Sequence, residues 1–539
     1  MKNLRTKLFL ILAAASFIFP AGCKQPGAGM GNGKTFPLKA ESETTIGDLT
    51  EVFSPQTIPV EGYALVGELN GKGSSQCPPS IRQYLKQYIL KQLSDGSQSV
   101  DHLINSHDTA VVLVRGQMPA SALRRVHFDL KVVVLPETQT TSLEGGILYG
   151  AELKAVGSFG LSVKTLASAQ GPIYIDKLVS QPVNPKVGYI LNGGTALNTY
   201  GIRLELRQPD FAVAGFIRDL LNKRFGGNCV KAVSKGMLRL QVPDKYKRQK
   251  DRFIDIVKLM YLRQGLELNK QRIMTLATKL AVSPDKKSSE AALEAIGKES
   301  ADKLIALLNS SNEEVRLRAG RCLLNMGVEA GFRVLRQIAL DATSMYRQEA
   351  LEALSNGAGR RSAAVLRELL SDSDTDIKLS AYEELRKLDD ISISKNIVGN
   401  NFLLEEIAAT DDKMIYVSRS GQPRIALFGA PVFCRDNIFI QSQDGDITLN
   451  AAKGQQYLSV IRRHPQKFSV NLQLRSNFNL SNIIRTLCDK PSPEDASFSG
   501  LGVSYADAVA ILQKMCNKGV VEAEFQAGPL PKIGLIVKK

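Results

Sequence analysis

Residues 312–327 have the sequence NEEVRLRAGRCLLNMG, in which the apolar residues recur at the spacing of one helix face. The same apolar positions return 31 residues further along the chain, and again after another 31 residues. The aligned sets are Leu304, Leu335 and Leu366; Leu307, Ile338 and Leu369; Val315, Tyr346 and Ile377; Ala319, Ala350 and Ala381; and Leu323, Leu354 and Leu385. This fixed period predicts an internal repeat.

Each repeat carries two stretches of helical spacing, so we expect a helix pair in each copy. A helix pair buries its apolar faces only against its neighbours. Three copies and a partial copy at 288–297 therefore predict a short α-solenoid over residues 288–390. Residues 312–327 resemble the second helix of a HEAT repeat, and residues 265–287 are predicted to form a connecting helix. The solenoid is expected to serve either as a binding platform or as a structural spacer, and the sequence favours neither.

Beyond residue 391 the pattern changes to short apolar strands separated by Gly, Pro and Asp. The predicted strands include 413–417, 424–428, 438–440, 446–449 and 468–474. Two helices are predicted at 480–487 and 505–515. Residues 391–539 are therefore expected to form a β-rich α+β domain, whose role the sequence does not indicate.

The region 44–264 also mixes strands and helices. Its predicted strands include 110–114, 128–134, 202–206 and 237–242. Its predicted helices are 80–93, 211–224 and 246–260, with Asp210 as the N-cap of the second. The helix–strand–helix order of residues 210–260 predicts a small α+β module with its helices on one sheet face.

Several segments of this region are similar to motifs of the bacterial flagellar P-ring proteins, and they occur in the family order. They are Gly62–Gly73 (GYALVGELNGKG), Ala110–Val114 with Met118-Pro119, Phe128–Val132 with Ser142–Leu148 (SLEGGIL), Gln170–Pro172 and Pro209–Phe211. The resemblance covers residues ~44–262. The order of the motifs is more specific than any single glycine motif.

The resemblance implies a structural subunit that assembles with itself into a closed ring around the flagellar rod. The implied partners are the rod and the outer-membrane ring components, with peptidoglycan as a further candidate. The α+β module at 210–260 is the expected contact with the neighbouring subunit. The solenoid and the C-terminal domain are expected to recruit partners or to couple the ring to the outer membrane. The alternative is a non-flagellar envelope scaffold lipoprotein that reuses the ring-building domain.

The N-terminus has the pattern of an exported protein. Three basic residues precede the apolar stretch Leu8–Phe19, and Pro20-Ala21-Gly22 places small residues before Cys23. Residues 1–22 are therefore predicted to be a signal peptide. The stretch resembles the lipobox of bacterial lipoproteins, which implies that Cys23 is lipidated, although a plain signal peptide with an incidental cysteine stays possible. Residues 23–43, rich in Gly and Pro, are predicted to form a flexible tether.

The expected location is the periplasm, with the lipid on Cys23 anchoring the chain to the outer membrane. Lys24 follows the cysteine, in place of the acidic residue that retains lipoproteins at the inner membrane. Export also argues against nucleic acid as a partner.

The formal net charge of +16 favours an anionic partner. Basic residues cluster between residues 231 and 272, most densely at Lys245, Lys247, Arg248, Lys250 and Arg252. These five residues are predicted either to contact an anionic surface, such as wall polymer or lipid headgroups, or to form the solvated face of an amphipathic helix.

No catalytic pattern stands out. The chain has four His residues, at positions 102, 107, 127 and 464, and none has a spacing typical of a catalytic triad or a zinc site. We therefore expect no enzymatic activity, no cofactor and no metal, although a pair of glycosidase carboxylates would be invisible in the sequence. Cys488 and Cys516 are predicted to form a disulfide within the C-terminal domain.

Overall fold

The computed structural model describes residues 43–92, 100–120, 125–136, 138–178, 183–399, 401–410, 412–464, 469–490 and 500–533. They form a β-rich N-terminal region, a helical solenoid and a β-rich C-terminal domain. The predicted multidomain fold class is confirmed. Among the described helices, none is long and apolar enough to cross a membrane.

The N-terminal region contains ten strands and five helices within the described residues. The strands are β1 (Thr50–Phe53), β2 (Thr57–Gly67), β3 (Ala110–Pro119), β4 (His127–Val134), β5 (Ile147–Ala155), β6 (Ala167–Pro172), β7 (Val187–Ala196), β8 (Ile202–Leu206), β9 (Val230–Ser234) and β10 (Met237–Leu240). The helices are α1 (Ile46–Leu49), α2 (Pro79–Gln92), α3 (Val100–Ile104), α4 (Phe211–Phe225) and α5 (Lys250–Leu259).

Six of these strands close into an antiparallel barrel in the order β2-β3-β4-β7-β6-β5. Alternate residues of each strand point inwards, as the burial of every second residue along β4 shows. Two glycines make room for one aromatic ring, because a Cβ on Gly116 or on Gly194 would lie 2.7 Å from the ring of Phe128. Helices α2 and α3 cover one outer side of the barrel through Leu65, Leu85 and Ile104.

The remaining strands form a small sheet in the order β1-β8-β10-β9, with α4 and α5 contributing to its core. Asp210 accepts a hydrogen bond of 2.9 Å from the backbone N–H of Val213, so it is the N-cap of α4 as predicted. Phe253 and Ile256 of α5 are fully buried in this core. The α+β module of residues 210–260 contributes α4, β9, β10 and α5 to this part, and strands β1 and β8 come from outside those residues.

The solenoid consists of four helix pairs. They are α6 (Leu266–Val282) with α7 (Lys286–Ile296), α8 (Ala301–Leu307) with α9 (Glu313–Met326), α10 (Glu329–Leu340) with α11 (Arg347–Ala358), and α12 (Ala363–Glu368) with α13 (Thr375–Leu388). The predicted repeat register is visible in the core, where Leu304, Leu335 and Leu366 are all fully buried. At Gly331 an added Cβ would lie 2.4 Å from the carbonyl oxygen of Gly320, so α9 and α10 pack with backbone in contact.

The C-terminal domain has nine strands and two helices within the described residues. The strands are β11 (Ser394–Val398), β12 (Phe402–Ile407), β13 (Met414–Val417), β14 (Arg424–Phe428), β15 (Ile438–Gln441), β16 (Ile447–Ala451), β17 (Leu458–Arg463), β18 (Asn471–Ser476) and β19 (Glu524–Ala527). The helices are α14 (Leu480–Cys488) and α15 (Tyr505–Asn517). One sheet has the mixed order β11-β12-β14-β13-β19, and the other is antiparallel in the order β15-β16-β17-β18.

The C-terminal domain packs against both other regions. Its core includes Tyr174 and Leu191 of the barrel. The carboxylate of Asp129 on β4 accepts hydrogen bonds from the backbone N–H groups of Asn192, at 2.7 Å, and of Gly421, at 2.8 Å. On the solenoid side, the Nε of Arg386 donates to Glu405 of β12 at 2.9 Å. The C-terminal domain therefore joins the barrel to the end of the solenoid.

Candidate assembly surfaces and the solenoid junction

A buried ionic network joins the N-terminal region to the solenoid. Arg252 of α5 donates to Glu290 at 2.7 Å and to Glu294 at 2.9 Å, both on α7. The side chains of the two glutamates are 1 % exposed. Glu290 and Glu294 lie four residues apart, so they occupy the same helix face and meet one guanidinium together. Such a pair fixes the orientation of α5 against the first solenoid pair.

The same carboxylates also tie the first solenoid pair to the second. Arg321 of α9 donates to Glu290 through two hydrogen bonds of 2.6 Å, and Arg318 donates to it at 3.0 Å. Tyr246, just before α5, donates its hydroxyl proton to Glu294 at 2.9 Å. Burial disfavours the charged form of Glu290, but the guanidinium groups of Arg252 and Arg321 outweigh it and lower its pKa from 4.5 to about 2. Glu290 is therefore an anion shared by three arginines.

The N-terminal half of α4 exposes two aromatic rings, and the charged side chains of Arg218 and Asp219 follow on the same helix. Phe211 is 75 % exposed and Phe216 is 52 % exposed. A Cβ added at Gly215 would meet no atom of the described chain within 4 Å, so intramolecular packing does not require glycine at this position. Glycine inside a helix costs about 1 kcal/mol relative to alanine. A glycine beside two exposed aromatic rings suits the close approach of a second chain.

The strand next to α4 is also exposed. β9 forms the edge of its sheet, and four of its five residues are exposed. Asn222 of α4 holds it by two hydrogen bonds, at 2.8 Å and 3.0 Å, to the backbone of Val230. Lys231 and Lys235 place positive charges on and beside this edge, a feature that discourages unspecific strand pairing.

Comparison with known proteins identifies two parts of the chain. Residues 45–275 match the flagellar P-ring protein family. Residues 301–386 match the HEAT repeats family. Both matches agree with the resemblances found in the sequence.

Flagellar P-ring proteins of several bacteria are similar to this chain. The protein of Aquifex aeolicus is 29% identical over 200 residues, which cover 34% of this chain and 52% of the relative. That of Thermotoga maritima is 27% identical and covers 36% of this chain and 60% of the relative. That of Caulobacter vibrioides is 28% identical and covers 34% of this chain and 51% of the relative. The chain thus spans between half and three-fifths of the length of these relatives.

Among solved structures, an engineered protein is 22% identical and covers 27% of this chain and 72% of its own, with a TM-score of 0.18. A second engineered protein, 21% identical, has the same TM-score of 0.18. Scores at this level carry no structural argument.

The structure separates the five predicted anion-contacting residues of the P-ring-like region. Arg252 lies inside the junction, with only 14 % of its side chain exposed, which corrects its prediction as an external contact. Arg248 donates to Glu384 of α13 at 3.3 Å, and Lys250 donates to the carbonyl oxygen of Ala120 at 3.4 Å. Lys245 and Lys247 are exposed, and Lys247 pairs with Asp244. Contact of the remaining basic residues with an anionic surface stays a prediction.

The amphipathic pattern of α5 did not reveal that Arg252 turns inwards, because its partners lie 38 and 42 residues further along the chain. Glu290 and Glu294 were missed altogether. A signal was present in SSEAALEAI, where two acidic residues four apart interrupt an otherwise small and apolar helix. Acidic residues at buried helical positions indicate a partner cation elsewhere in the chain.

The predicted lipidation site, Cys23, lies outside the described residues. The predicted bridge between Cys488 and Cys516 is absent from the structure, where both residues are free thiols. Cys488 is buried at the end of α14, whereas Cys516 is partly buried near the end of α15. Among the described residues, no group of three or more His, Cys, Asp or Glu side chains is placed to hold a metal ion.

Proposed function

We propose that this chain is a structural component of the bacterial flagellar basal body, a P-ring-like subunit that assembles into a periplasmic ring around the rod. The match of residues 45–275 to the P-ring family carries the proposal. A lipid on Cys23 anchors the ring to the outer membrane, and residues 23–43 span the distance to the folded region. The subunit acts by assembly and not by catalysis.

The outer face of α4 supplies the contact between subunits in this proposal. A closed ring requires that one face of a subunit fits a different face of its neighbour. Phe211 and Phe216 offer an apolar surface for such a contact. Gly215 lies beside them and has no side chain, so a neighbouring subunit could approach the helix backbone closely. In this proposal Lys245 and Lys247, which are both exposed, contact anionic wall polymer.

The solenoid and the C-terminal domain extend the ring subunit as one connected body. The solenoid is bound to α5 through Arg252 and to the C-terminal domain through Arg386, and the C-terminal domain is bound to the barrel through Asp129. These contacts favour a role as a structural extension towards rod or outer-membrane ring components over a freely swinging recruitment arm.

The alternative is an envelope scaffold lipoprotein that uses the ring-building region in a non-flagellar assembly. The observation in its favour is that the chain spans only 51–60% of its P-ring relatives and carries a long additional region.

Deletion of the gene tests the two functions. The flagellar function predicts loss of swimming, with basal bodies that lack the ring at the level of the wall. Complementation with the intact gene should restore both. Normal swimming and intact basal bodies in the deletion strain would reject the flagellar function in favour of the scaffold.

A further inference from the structure

A cleft of about 320 Å³ opens on the outer wall of the barrel, where the start of α2 meets β2 and the loop after β5. Three aromatic rings line it. The ring centroid of Phe159 lies 5.7 Å from that of Tyr63 and 5.2 Å from that of Tyr84. Half of the surface of Phe159 is exposed. The volume falls within the ~300–1,000 Å³ range of small-ligand pockets.

Polar groups of both kinds surround these rings. Lys154, with 4 % of its side chain exposed, donates to the carbonyl oxygen of Gly160 at 2.7 Å and to the hydroxyl of Tyr84 at 3.3 Å. Glu61 accepts from the Nε of Arg115 at 3.2 Å and from the backbone N–H of Gly157 at 2.8 Å. The bonds of Lys154 to Gly160 and of Glu61 to Gly157 fix the walls of the cleft, because they hold the loop 157–160 against the barrel.

Other polar groups of the cleft remain available to a ligand. Within the described residues, the hydroxyls of Tyr63 and Ser80 make no hydrogen bond, and Glu152 has only the ammonium of Lys154, at 3.5 Å. Burial and the carboxylate of Glu152 raise the pKa of Tyr84 to about 12, so its phenol is neutral. The backbone N–H groups in the first turn of α2 at Ser80 and Ile81 have no intrahelical acceptor.

The charges of the cleft nearly cancel. Glu61 is neutralised by Arg115, and Glu152 faces Lys154. A strongly charged ligand would gain little here. The electron-rich faces of aromatic rings attract C–H groups, and single polar groups around them orient a ligand that has both C–H faces and hydroxyls. A pyranose ring has this chemistry.

We propose that this cleft binds an N-acetylhexosamine residue of a glycan. The sugar ring stacks on Phe159, and its hydroxyls bond with Tyr63 and Ser80. The acetamido carbonyl accepts from the first-turn amides of α2, and the acetamido N–H donates to Glu152. The proposal rests on the proposed function only for the source of the glycan, which would be the wall.

Titration of the full mature chain with chitotetraose tests the site, with saturation-transfer NMR and calorimetry as readouts. Wild type should show transfer to the sugar protons, and Phe159→Ala should weaken binding about tenfold, as expected for the loss of one stacked ring. Phe439→Ala, which removes an exposed ring on β15 far along the chain from the cleft, should bind like wild type. Glu152→Gln provides a second variant that leaves the aromatic walls intact, and it should also weaken binding.

Lack of binding by wild type at millimolar sugar, or unchanged binding by both cleft variants, would overturn the proposal. Equal binding of maltotetraose would reject the acetamido contact. Co-sedimentation of wild type, but not of Phe159→Ala, with purified peptidoglycan sacculi identifies wall glycan as the source. Binding of chitotetraose without co-sedimentation rejects the wall while the sugar site stands. None of these outcomes depends on swimming, so failure here is distinguishable from failure of the flagellar function.

Discussion

Arg252 of the P-ring-like region and Glu290 of the solenoid are joined by a hydrogen bond of 2.7 Å in a site that the chain almost closes to solvent. Arg252 lies within the match to the P-ring family at residues 45–275, and Glu290 lies on the first solenoid pair, between that match and the HEAT match at residues 301–386. A buried charge needs its counter-charge, and Arg252 would lose both of its carboxylate partners if the two parts separated, whereas Glu290 would keep Arg318 and Arg321. The solenoid is therefore packed directly onto the P-ring-like region instead of being tethered to it.

Replacing Glu290 with Gln should lower the free energy of unfolding by about 3 kcal/mol or more, because three guanidinium groups would lose their shared anion. Urea denaturation followed by circular dichroism measures the change. Glu368→Gln is the matched control, since Glu368 pairs with Arg336 at the surface, where both side chains are about half exposed. That control should change stability by less than about 1 kcal/mol. Equal effects of the two variants would contradict the importance of the junction.

The same residue predicts how stability depends on acid. The pKa of Glu290 is about 2 in the folded chain, against 4.5 ordinarily, so the unfolded chain takes up this proton first as the pH falls. Its contribution is fully present above about pH 4.5 and is lost progressively as the pH falls towards 2. The stability difference between wild type and Glu290→Gln should therefore shrink over this window. A difference that stays constant from neutral pH to pH 3 would contradict the assignment.

The regular repeat of the solenoid could be predicted from the sequence, because each helix packs on its immediate neighbours and the period marks the packed positions. Leu304, Leu335 and Leu366 are accordingly all buried. The closure of the barrel could not be predicted from the sequence. It depends on the pairing of β2 with β5, which lie about 90 residues apart, and the alternation of buried and exposed residues along these strands would be the same in an open sheet. The inward orientation of Arg252 could not be predicted for a related reason. Its partners are set by the packing of two domains, which no local sequence pattern records.

The burial of the described cysteines predicts the order in which their thiols are alkylated. Burial raises the pKa of Cys77 and raises that of Cys516 to about 11, while Cys322 and Cys488 are fully buried. In the native chain Cys77 and Cys516 should be alkylated first, and Cys322 and Cys488 only on unfolding. Mass spectrometry after unfolding without reductant should find all six described thiols free, those of Cys229 and Cys434 included. Failure to detect free thiols at Cys488 and Cys516 would support the disulfide predicted from the sequence.

Cys23→Ser should abolish acylation and release the protein from the membrane fraction, since a serine cannot form the thioether that carries the lipid. Metabolic labelling with a clickable fatty acid, followed by fractionation, measures both effects. Cys77→Ser, at a cysteine within the folded region, is the control and should leave labelling unchanged. Labelling and membrane association that survive Cys23→Ser would reject the lipoprotein assignment.

The α4 face gives opposite predictions for the isolated subunit and for its assembly. Gly215→Ala should stabilise the isolated subunit by about 0.5–1 kcal/mol, because a methyl group there meets open space and alanine favours the helix. If a neighbouring subunit approaches this glycine closely, the same methyl group should weaken association, as should the charge introduced by Phe216→Glu. Sedimentation velocity measures association and thermal unfolding measures stability. Phe439→Glu, at an aromatic residue that is 60 % exposed on β15, is the control and should leave both unchanged. Association that is unaffected by both α4 variants would exclude this face from the subunit contact. If Gly215→Ala instead gives a more stable subunit that associates more weakly, the contact with a neighbouring subunit explains the presence of a glycine that the packing of the helix does not need.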